Sequence, residues 1–132
     1  MNTPGINHVI LTVTDLERST QFYHEVLGFD VQPIPPEYGK LAYFQVGAAS
    51  IWLIQHDQTP PNDRFSEFRV GLDHLSFRAP DRAALHDLAE RLRAAGVDTN
   101  GVEVYQPSGK PYIVFRDPDN IQLEYWLDES EA

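Results

Sequence analysis

The order of apolar and polar positions predicts a strand, a helix and two further strands in the first half of the chain. Residues 6–13 (INHVILTV) are apolar and largely β-branched, which is typical of a strand. A helix follows, because apolar side chains return at positions 22, 23, 26 and 27, on one helical face. Thr14 and Glu17 form a capping-box pattern at its start, and Gly28 is a suitable helix stop. Residues 41–46 and 50–55 predict two strands, and the proline-bearing residues 32–39 predict a loop.

The same pattern restarts after a polar, proline-bearing segment at residues 57–71. Residues 72–78 predict a strand, and Asp81 is a suitable N-cap for a helix with apolar positions 85, 88, 92 and 95. Gly96 is the predicted stop of that helix. Residues 112–115 and 121–127 predict two more strands, separated by a turn at residues 116–120. We interpret residues 57–71 as a linker inside one domain, because each half is small for a domain that has to form a stable core of its own.

The two halves form an internal repeat. The segment INHV at residues 6–9 matches LDHL at residues 72–75 with an offset of 66 residues, and each copy continues with a helix that ends in glycine and a pair of strands. This pattern predicts a single α+β domain over residues 1–132, with half-repeats at about residues 6–56 and 72–127. Pseudo-two-fold symmetry would arrange the halves as a curved mixed sheet around a shared cavity.

Two histidines occupy equivalent positions of the repeat, His8 in the first predicted strand of one half and His74 in that of the other. A single histidine in a strand is more often a hydrogen-bonded structural residue than a metal ligand. A pair related by pseudo-two-fold symmetry differs, because the symmetry would bring both imidazoles into the shared cavity. The pair therefore favours a metal site.

Glu124 is the candidate for a third ligand. Alternate residues of a strand share a face, so Gln122, Glu124 and Trp126 are predicted to point to one side of the last strand. A carboxylate among so much apolar surface is costly unless it is paired or binds a metal. The alternative is that Gln122 and Glu124 face water.

Two imidazoles and one carboxylate suit one divalent metal ion. The same ligand types serve non-haem Fe(II) sites and Zn sites, and they do not distinguish Fe, Mn, Zn, Ni and Co. Three protein ligands leave coordination positions for water or substrate, which is typical of catalytic sites.

Composition narrows the range of partners. The chain has no cysteine, which excludes disulfides, thiolate metal sites and a cysteine nucleophile. Its formal net charge of −10 argues against nucleic acid and against an anionic membrane surface. No apolar run approaches the roughly 20 residues that span a bilayer, and no signal-peptide pattern is visible, so we expect a cytoplasmic protein.

Three segments together resemble the vicinal oxygen chelate superfamily, which includes glyoxalase I, extradiol dioxygenases, fosfomycin-resistance proteins and bleomycin-binding proteins. They are residues 7–29, which contain FYHEVLGF, residues 71–81 (GLDHLSFRAPD) and residues 115–126 (FRDPDNIQLEYW). The resemblance covers residues 6–127 and is specific for the superfamily but not for one activity. It implies two βαβββ modules, metal ligands at His8, His74 and Glu124, and a homodimer.

The resemblance implies a metal-dependent enzyme with lyase, isomerase or dioxygenase chemistry. Such an enzyme binds a small oxygenated substrate through two neighbouring oxygens on the metal, which acts as a Lewis acid. Glyoxalase I usually has an acidic ligand where this chain has Trp52, and residues 106–112 lack the potassium loop typical of fosfomycin-resistance proteins. Two alternatives stay open: a metal-free small-molecule-binding or resistance protein of the same fold, and an Fe(II) ring-cleaving dioxygenase.

Several side chains near this site are candidates for proton transfer or substrate binding. Glu124 is a candidate proton acceptor and His56 is another, although a surface position at a strand end is the simpler interpretation of His56. Tyr112 and Arg116 precede the last strand and are candidates for orienting an anionic substrate, with strand packing and a turn contact as alternatives. Two tryptophans are predicted either to line an apolar substrate cavity or to pack in the core: Trp52 and Trp126.

Overall fold

Each half of the sequence folds into a four-stranded mixed sheet with one α-helix. The computed structural model describes residues 1–130, divided into a first unit, Met1–Asp63, and a second unit that begins at Arg64. The predicted α+β class with two similar halves is confirmed, whereas the shared cavity and the boundaries of the linker stay predictions. Within the described residues, no helix is long and apolar enough to cross a membrane.

The sheet of the first unit has the strand order β1-β4-β3-β2. Strand β1 runs parallel to β4, and the other neighbours are antiparallel. Helix α1 continues into a π-helical turn, and a short 3-10 turn precedes β3. The predicted loop at residues 32–39 therefore contains two elements that are too short to give a periodic pattern. The strands are β1 (His8–Thr12), β2 (Gln32–Pro33), β3 (Lys40–Val46) and β4 (Ala49–Gln55), and the helical segments are α1 (Leu16–Gln21), Phe22–Val26 and Pro36–Tyr38.

The start of α1 differs from the prediction. Asp15 is the N-cap, because its side chain accepts a hydrogen bond from the backbone N–H of Arg18 at 3.1 Å. The N–H of Leu16 donates to the side-chain oxygen of Gln55, at 2.8 Å. The hydroxyl of Thr14 accepts instead from the Arg18 guanidinium, also at 2.8 Å. The capping-box prediction is therefore wrong. The N–H groups of Arg18 and Leu16 at the start of α1 donate to the side chains of Asp15 and Gln55 instead.

The core of the first unit centres on a stack of aromatic rings. Phe44 in β3 is 1% exposed, and its ring lies 4.2 Å from that of Phe29 and 5.4 Å from that of Tyr23, measured between centroids. Alternate positions of the sheet add further buried apolar side chains on the face that α1 contacts. These side chains include Leu11, Ala42, Ile51 and Leu53.

The sheet of the second unit repeats this order as β5-β8-β7-β6, with β5 parallel to β8. Helix α2 begins at the predicted N-cap Asp81, whose side chain accepts from the N–H of Ala84 at 2.8 Å. Gly96 follows the helix with a φ of 74°, which confirms the predicted stop. The predicted strand at residues 72–78 starts later, so His74 lies directly before β5. The elements are β5 (Leu75–Arg78), α2 (Arg82–Ala94), β6 (Glu103–Tyr105), β7 (Lys110–Arg116) and β8 (Gln122–Trp126).

One face of the second sheet packs in the core and the other carries Glu124. Ile113, Phe115 and Leu123 are buried together with the apolar stripe of α2, which contacts β7. Because alternate residues of a strand point to opposite faces, Glu124 and its neighbours at 122 and 126 lie on the other face. The predicted alternation along β8 is confirmed.

The turn between β7 and β8 is organised by the buried carboxylate of Asp117. One oxygen of this carboxylate accepts the N–H groups of Asp119 and Ile121, each at 2.9 Å. Asn120 has a φ of 71°, a conformation that asparagine tolerates better than most residues. The turn sets the start of β8 and therefore the position of Glu124 within the sheet.

Replacing Asp117 with alanine should lower the free energy of unfolding by about 1–3 kcal/mol, because two buried N–H groups would lose their acceptor. Urea denaturation measures this loss. Asp128→Ala is the matched control, since Asp128 pairs with Arg78 at 2.8 Å while both side chains stay mostly exposed. A surface ion pair of this kind contributes at most about 1 kcal/mol. Equal losses in the two variants would contradict the role given to Asp117.

Candidate functional site

The second sheet brings His74 and Glu124 together. His74 lies directly before β5, and Glu124 lies in the neighbouring strand β8. The Nε2 atom of His74 is 3.4 Å from Oε1 of Glu124. The side chain of His74 is 38% exposed and that of Glu124 is 10% exposed. The pair therefore combines a largely buried carboxylate with an imidazole that a ligand can reach.

Asp73 orients the imidazole of His74. The Nδ1 atom of His74 lies 2.6 Å from Oδ1 of Asp73. A carboxylate only accepts hydrogen bonds, so Nδ1 is the donor to Asp73. In the neutral imidazole this leaves Nε2, which faces Glu124, as the nitrogen with the lone pair. This arrangement is the one in which a histidine binds a metal through Nε2 or accepts a proton there.

Both oxygens of Glu124 accept hydrogen bonds from neighbours in β8. Trp126 donates its indole N–H to Oε1 at 2.7 Å, and Gln122 donates its amide N–H to Oε2 at 2.8 Å. Both donors are neutral groups, so they hold the carboxylate in place without cancelling its charge. A carboxylate in this state attracts a cation.

The guanidinium of Arg116 is hydrogen-bonded to other residues of the protein. It donates to the carboxylate of Glu67, to the backbone oxygen of Asn120 at 3.1 Å and to the side-chain oxygen of Gln122 at 3.2 Å. The hydrogen bond from Arg116 lowers the pKa of Glu67 below its usual value. Arg116 thus contacts the turn through the backbone oxygen of Asn120, and its role in orienting an anionic substrate stays a prediction.

An aromatic cluster lies beside Glu124. The ring of Tyr112 stacks on that of Trp126 with a centroid distance of 4.6 Å and an interplanar angle of 14°. Tyr105 meets the same indole edge-on at 5.6 Å. Burial raises the pKa of Tyr112, and the negative charge and hydrogen bond of Glu103 raise it further. Tyr112 therefore keeps its proton at neutral pH, and its single O–H donor is engaged by Glu103.

The first unit carries an equivalent histidine. His8 begins β1, and its Nδ1 atom lies 2.6 Å from the side-chain oxygen of Asn7, so Nδ1 is the donor and, in the neutral imidazole, Nε2 has the lone pair. In the strand registers, Ile10 faces Trp52 and Ser76 faces Glu124. Since positions 10 and 76 are equivalent in the repeat, Trp52 occupies the place that Glu124 holds in the second unit.

Two other sequence candidates lie in the first unit. Trp52 stacks on Tyr43 at 4.8 Å and donates its indole N–H to the hydroxyl of Ser50 at 3.0 Å. It is only partly buried, so core packing does not fully account for it. His56 follows the end of β4 and is exposed, which agrees with the simpler interpretation of this residue. A catalytic role for His56 stays a prediction.

The His74 and Glu124 donor atoms fit a divalent ion as a two-ligand set. Two ligand atoms that each lie about 2.1 Å from an ion with tetrahedral geometry are separated by about 3.4 Å, which is the separation observed between Nε2 and Oε1. Across residues 1–130, no group of three or more His, Asp and Glu side chains could hold a metal ion. The three-ligand site that includes His8 stays a prediction.

Comparison with known proteins identifies the family of this chain. A family model for the Glyoxalase/Bleomycin resistance protein/Dioxygenase superfamily matches residues 5–125. The chain belongs to this superfamily. The domain of this superfamily from Frankia sp. EAN1pec has a crystal structure that superposes with a TM-score of 0.83 at 36% identity, covering 97% of this chain and 100% of that one. The predicted glyoxalase-like fold is confirmed.

Two curated relatives bear on the activity. Uncharacterized protein YwkD of Bacillus subtilis is 30% identical over 126 residues, covering 92% of this chain and 95% of that protein. Metallothiol transferase FosB of Shouchella clausii is 33% identical over 123 residues, covering 91% of this chain and 77% of that protein. The chain is thus similar to a protein named as a metallothiol transferase, and this likeness does not fix the reaction of this chain.

Sequence reasoning missed the residues that hold the site in place. Asp73 and Asn7 each precede a candidate histidine, so a polar acceptor at the same place in both repeats was a visible signal. Gln122 was assigned to the correct face but given no function. Glu67 lies in the segment interpreted as a linker, where no pattern points to its contact with Arg116.

Proposed function

We propose that this superfamily member is a metal-dependent enzyme that acts on a small oxygenated substrate, with His74 and Glu124 as metal ligands. The observation that carries the proposal is the approach of His74 Nε2 to Glu124 Oε1 at 3.4 Å, with the Nδ1 proton of His74 held by Asp73. A bound divalent ion would supply Lewis-acid chemistry to two neighbouring oxygens of the substrate.

The protein's own groups would bind and orient that substrate. The stacked rings of Tyr112 and Trp126 offer an apolar surface beside the ligands, on which a substrate could pack. Glu124 is the candidate proton acceptor, because Gln122 occupies only one of the two lone-pair sites on its Oε2 atom. The similarity to the protein named metallothiol transferase FosB supports a role of this type without specifying the substrate.

The proposal assigns the third ligand to His8, whose Nε2 atom is left free by the contact of Nδ1 with Asn7. We further propose a homodimer, a state that the superfamily resemblance implies. Imidazole and carboxylate ligands accept Fe, Mn, Zn, Ni or Co, so the identity of the metal has to be measured.

The proposal predicts about one divalent ion per chain after purification without a metal-binding tag. His74→Ala should lower this content below half, because it removes one of the two paired ligand atoms. His86→Ala is the matched control, since His86 is exposed on α2, and it should keep the wild-type content. Elemental analysis of the three proteins measures the outcome.

The identity of the metal would refine the activity. Iron would favour oxygen chemistry and a ring-cleaving dioxygenase, whereas nickel, zinc or manganese would favour isomerase, lyase or transferase chemistry. If the wild-type protein holds no metal even after each ion is added, the enzyme proposal is wrong.

A metal-free binding protein is the second candidate. The stack of Tyr112 on Trp126, with Tyr105 48% exposed at its edge, favours this function because such rings bind flat apolar ligands. Absence of metal from the wild-type protein, together with quenching of tryptophan fluorescence by an aromatic ligand, would support it.

A further inference from the structure

We propose that Gln122 and Trp126 are positioning residues that clamp the carboxylate of Glu124, and that Glu67 and Arg116 fix the orientation of Gln122. This inference rests on the proposed function, because the clamp matters only if Glu124 is a metal ligand. It gives four residues a role in positioning Glu124, including Glu67 in the segment interpreted as a linker.

The clamp holds Glu124 at both oxygens. Gln122 donates to Oε2 at 2.8 Å, and Trp126 donates to Oε1 at 2.7 Å. With one hydrogen bond on each oxygen, the carboxylate can neither rotate nor move away without losing a bond. Each carboxylate oxygen has about two lone-pair sites, so Oε1 keeps one for a ligand on the side of His74.

The orientation of the Gln122 amide is set by Arg116. A guanidinium has donors and no acceptor, so the group of Gln122 that lies 3.2 Å from Arg116 has to be its carbonyl oxygen. The amide N–H group then points to Glu124. A reversed amide would place a donor against Arg116 and an acceptor against the carboxylate.

Arg116 is fixed in turn by Glu67 and by the turn before β8. Its guanidinium donates to the Glu67 carboxylate and to the backbone oxygen of Asn120. The backbone of Phe65 also bonds to this turn, since its N–H donates to Asp119 and its carbonyl oxygen accepts from Asn120. Residues 65–67 are therefore held by hydrogen bonds to Arg116 and to the turn before β8.

Trp126 is fixed by stacking rather than by charge. Its indole is held between the stacked ring of Tyr112 at 4.6 Å and the edge of Tyr105 at 5.6 Å. The indole N–H therefore has a constant direction toward Glu124. Partners that orient a metal ligand typically change metal affinity by about 10- to 100-fold when they are removed.

Gln122→Met tests the clamp, because methionine has a similar length and neither donates nor accepts a strong hydrogen bond. We expect the dissociation constants for Zn²⁺ and Mn²⁺ to rise by about 10- to 100-fold, measured by competition with a chromophoric chelator on the metal-free protein. Gln32→Met is the matched control, since Gln32 also donates to a carboxylate, that of Asp30 at 2.7 Å, on the exposed surface of the other unit. It should leave both constants unchanged.

Two further variants separate positioning from folding. Trp126→Phe keeps the stack on Tyr112 but removes the N–H donor, and Glu67→Gln weakens only the far end of the chain of hydrogen bonds. Trp126→Phe should match Gln122→Met, and Glu67→Gln should give a smaller loss, with the melting temperature of the metal-free protein nearly unchanged in both.

The outcomes distinguish this inference from the proposed function. Wild-type affinity in both Gln122→Met and Trp126→Phe would overturn the clamp and leave the metal site intact. A wild-type protein that binds neither Zn²⁺ nor Mn²⁺ would overturn the proposed function and the clamp together.

Discussion

Glu124→Gln should weaken the binding of divalent ions by more than 100-fold, the largest effect on function that we expect from a single substitution. Loss of a group that merely orients a ligand costs about 10- to 100-fold in metal affinity, and this change removes the charge of the ligand itself. Competition with a chromophoric chelator, with Zn²⁺ and Mn²⁺ as probes, measures the loss. Glu90→Gln is the matched control, because Glu90 is exposed on α2.

The neighbours of Glu124 make this substitution more severe than the loss of charge alone. A glutamine at this position has one acceptor oxygen, but Trp126 and Gln122 each present a donor to the side chain. One of these donors would therefore meet the new amide N–H group. The variant should still fold, since one unmet buried group costs about 1–3 kcal/mol. Wild-type metal affinity in a folded Glu124→Gln protein would contradict the assignment of Glu124 as a ligand.

The parts of the site that lie on regular elements could be predicted from the sequence. The period-2 pattern of β8 assigned Glu124 and Trp126 to one face, and the repeat placed His8 and His74 at equivalent positions. Both predictions follow from local geometry, because strand alternation depends on the backbone and not on distant residues. The cap of α2 at Asp81 was predictable for the same reason.

The contacts that hold the site depend on groups distant in sequence, and no local pattern reveals them. Glu67 meets Arg116 across 49 residues, and the side chain of Gln55 takes a free N–H of α1 across 39 residues. Strands β2 and β6 were missed because elements of two or three residues are too short for periodicity. The arrangement of His8 relative to His74 depends on tertiary placement and lies beyond what a repeat in the sequence can fix.

The largest effect on stability is expected from Phe44→Ala, which should lower the free energy of unfolding by about 3–5 kcal/mol. Phe44 is 1% exposed and stacks on Phe29 and Tyr23, so truncation leaves a cavity among rigid rings that cannot collapse to fill it. The free energy of unfolding of natural domains is only about 5–15 kcal/mol, so this loss would be a large fraction of the total. Urea denaturation followed by circular dichroism measures it.

Phe68→Ala makes the same chemical change on the surface and is the control. Phe68 is 92% exposed, so its removal should alter the free energy of unfolding by no more than about 0.5 kcal/mol. The contrast matters because the two variants lose the same atoms and differ only in what surrounds them. A similar loss in both would mean that burial in the ring stack does not stabilise the first unit. A loss confined to Phe44→Ala would show that burial in the ring stack, on the face of the first sheet opposite Trp52, stabilises the first unit.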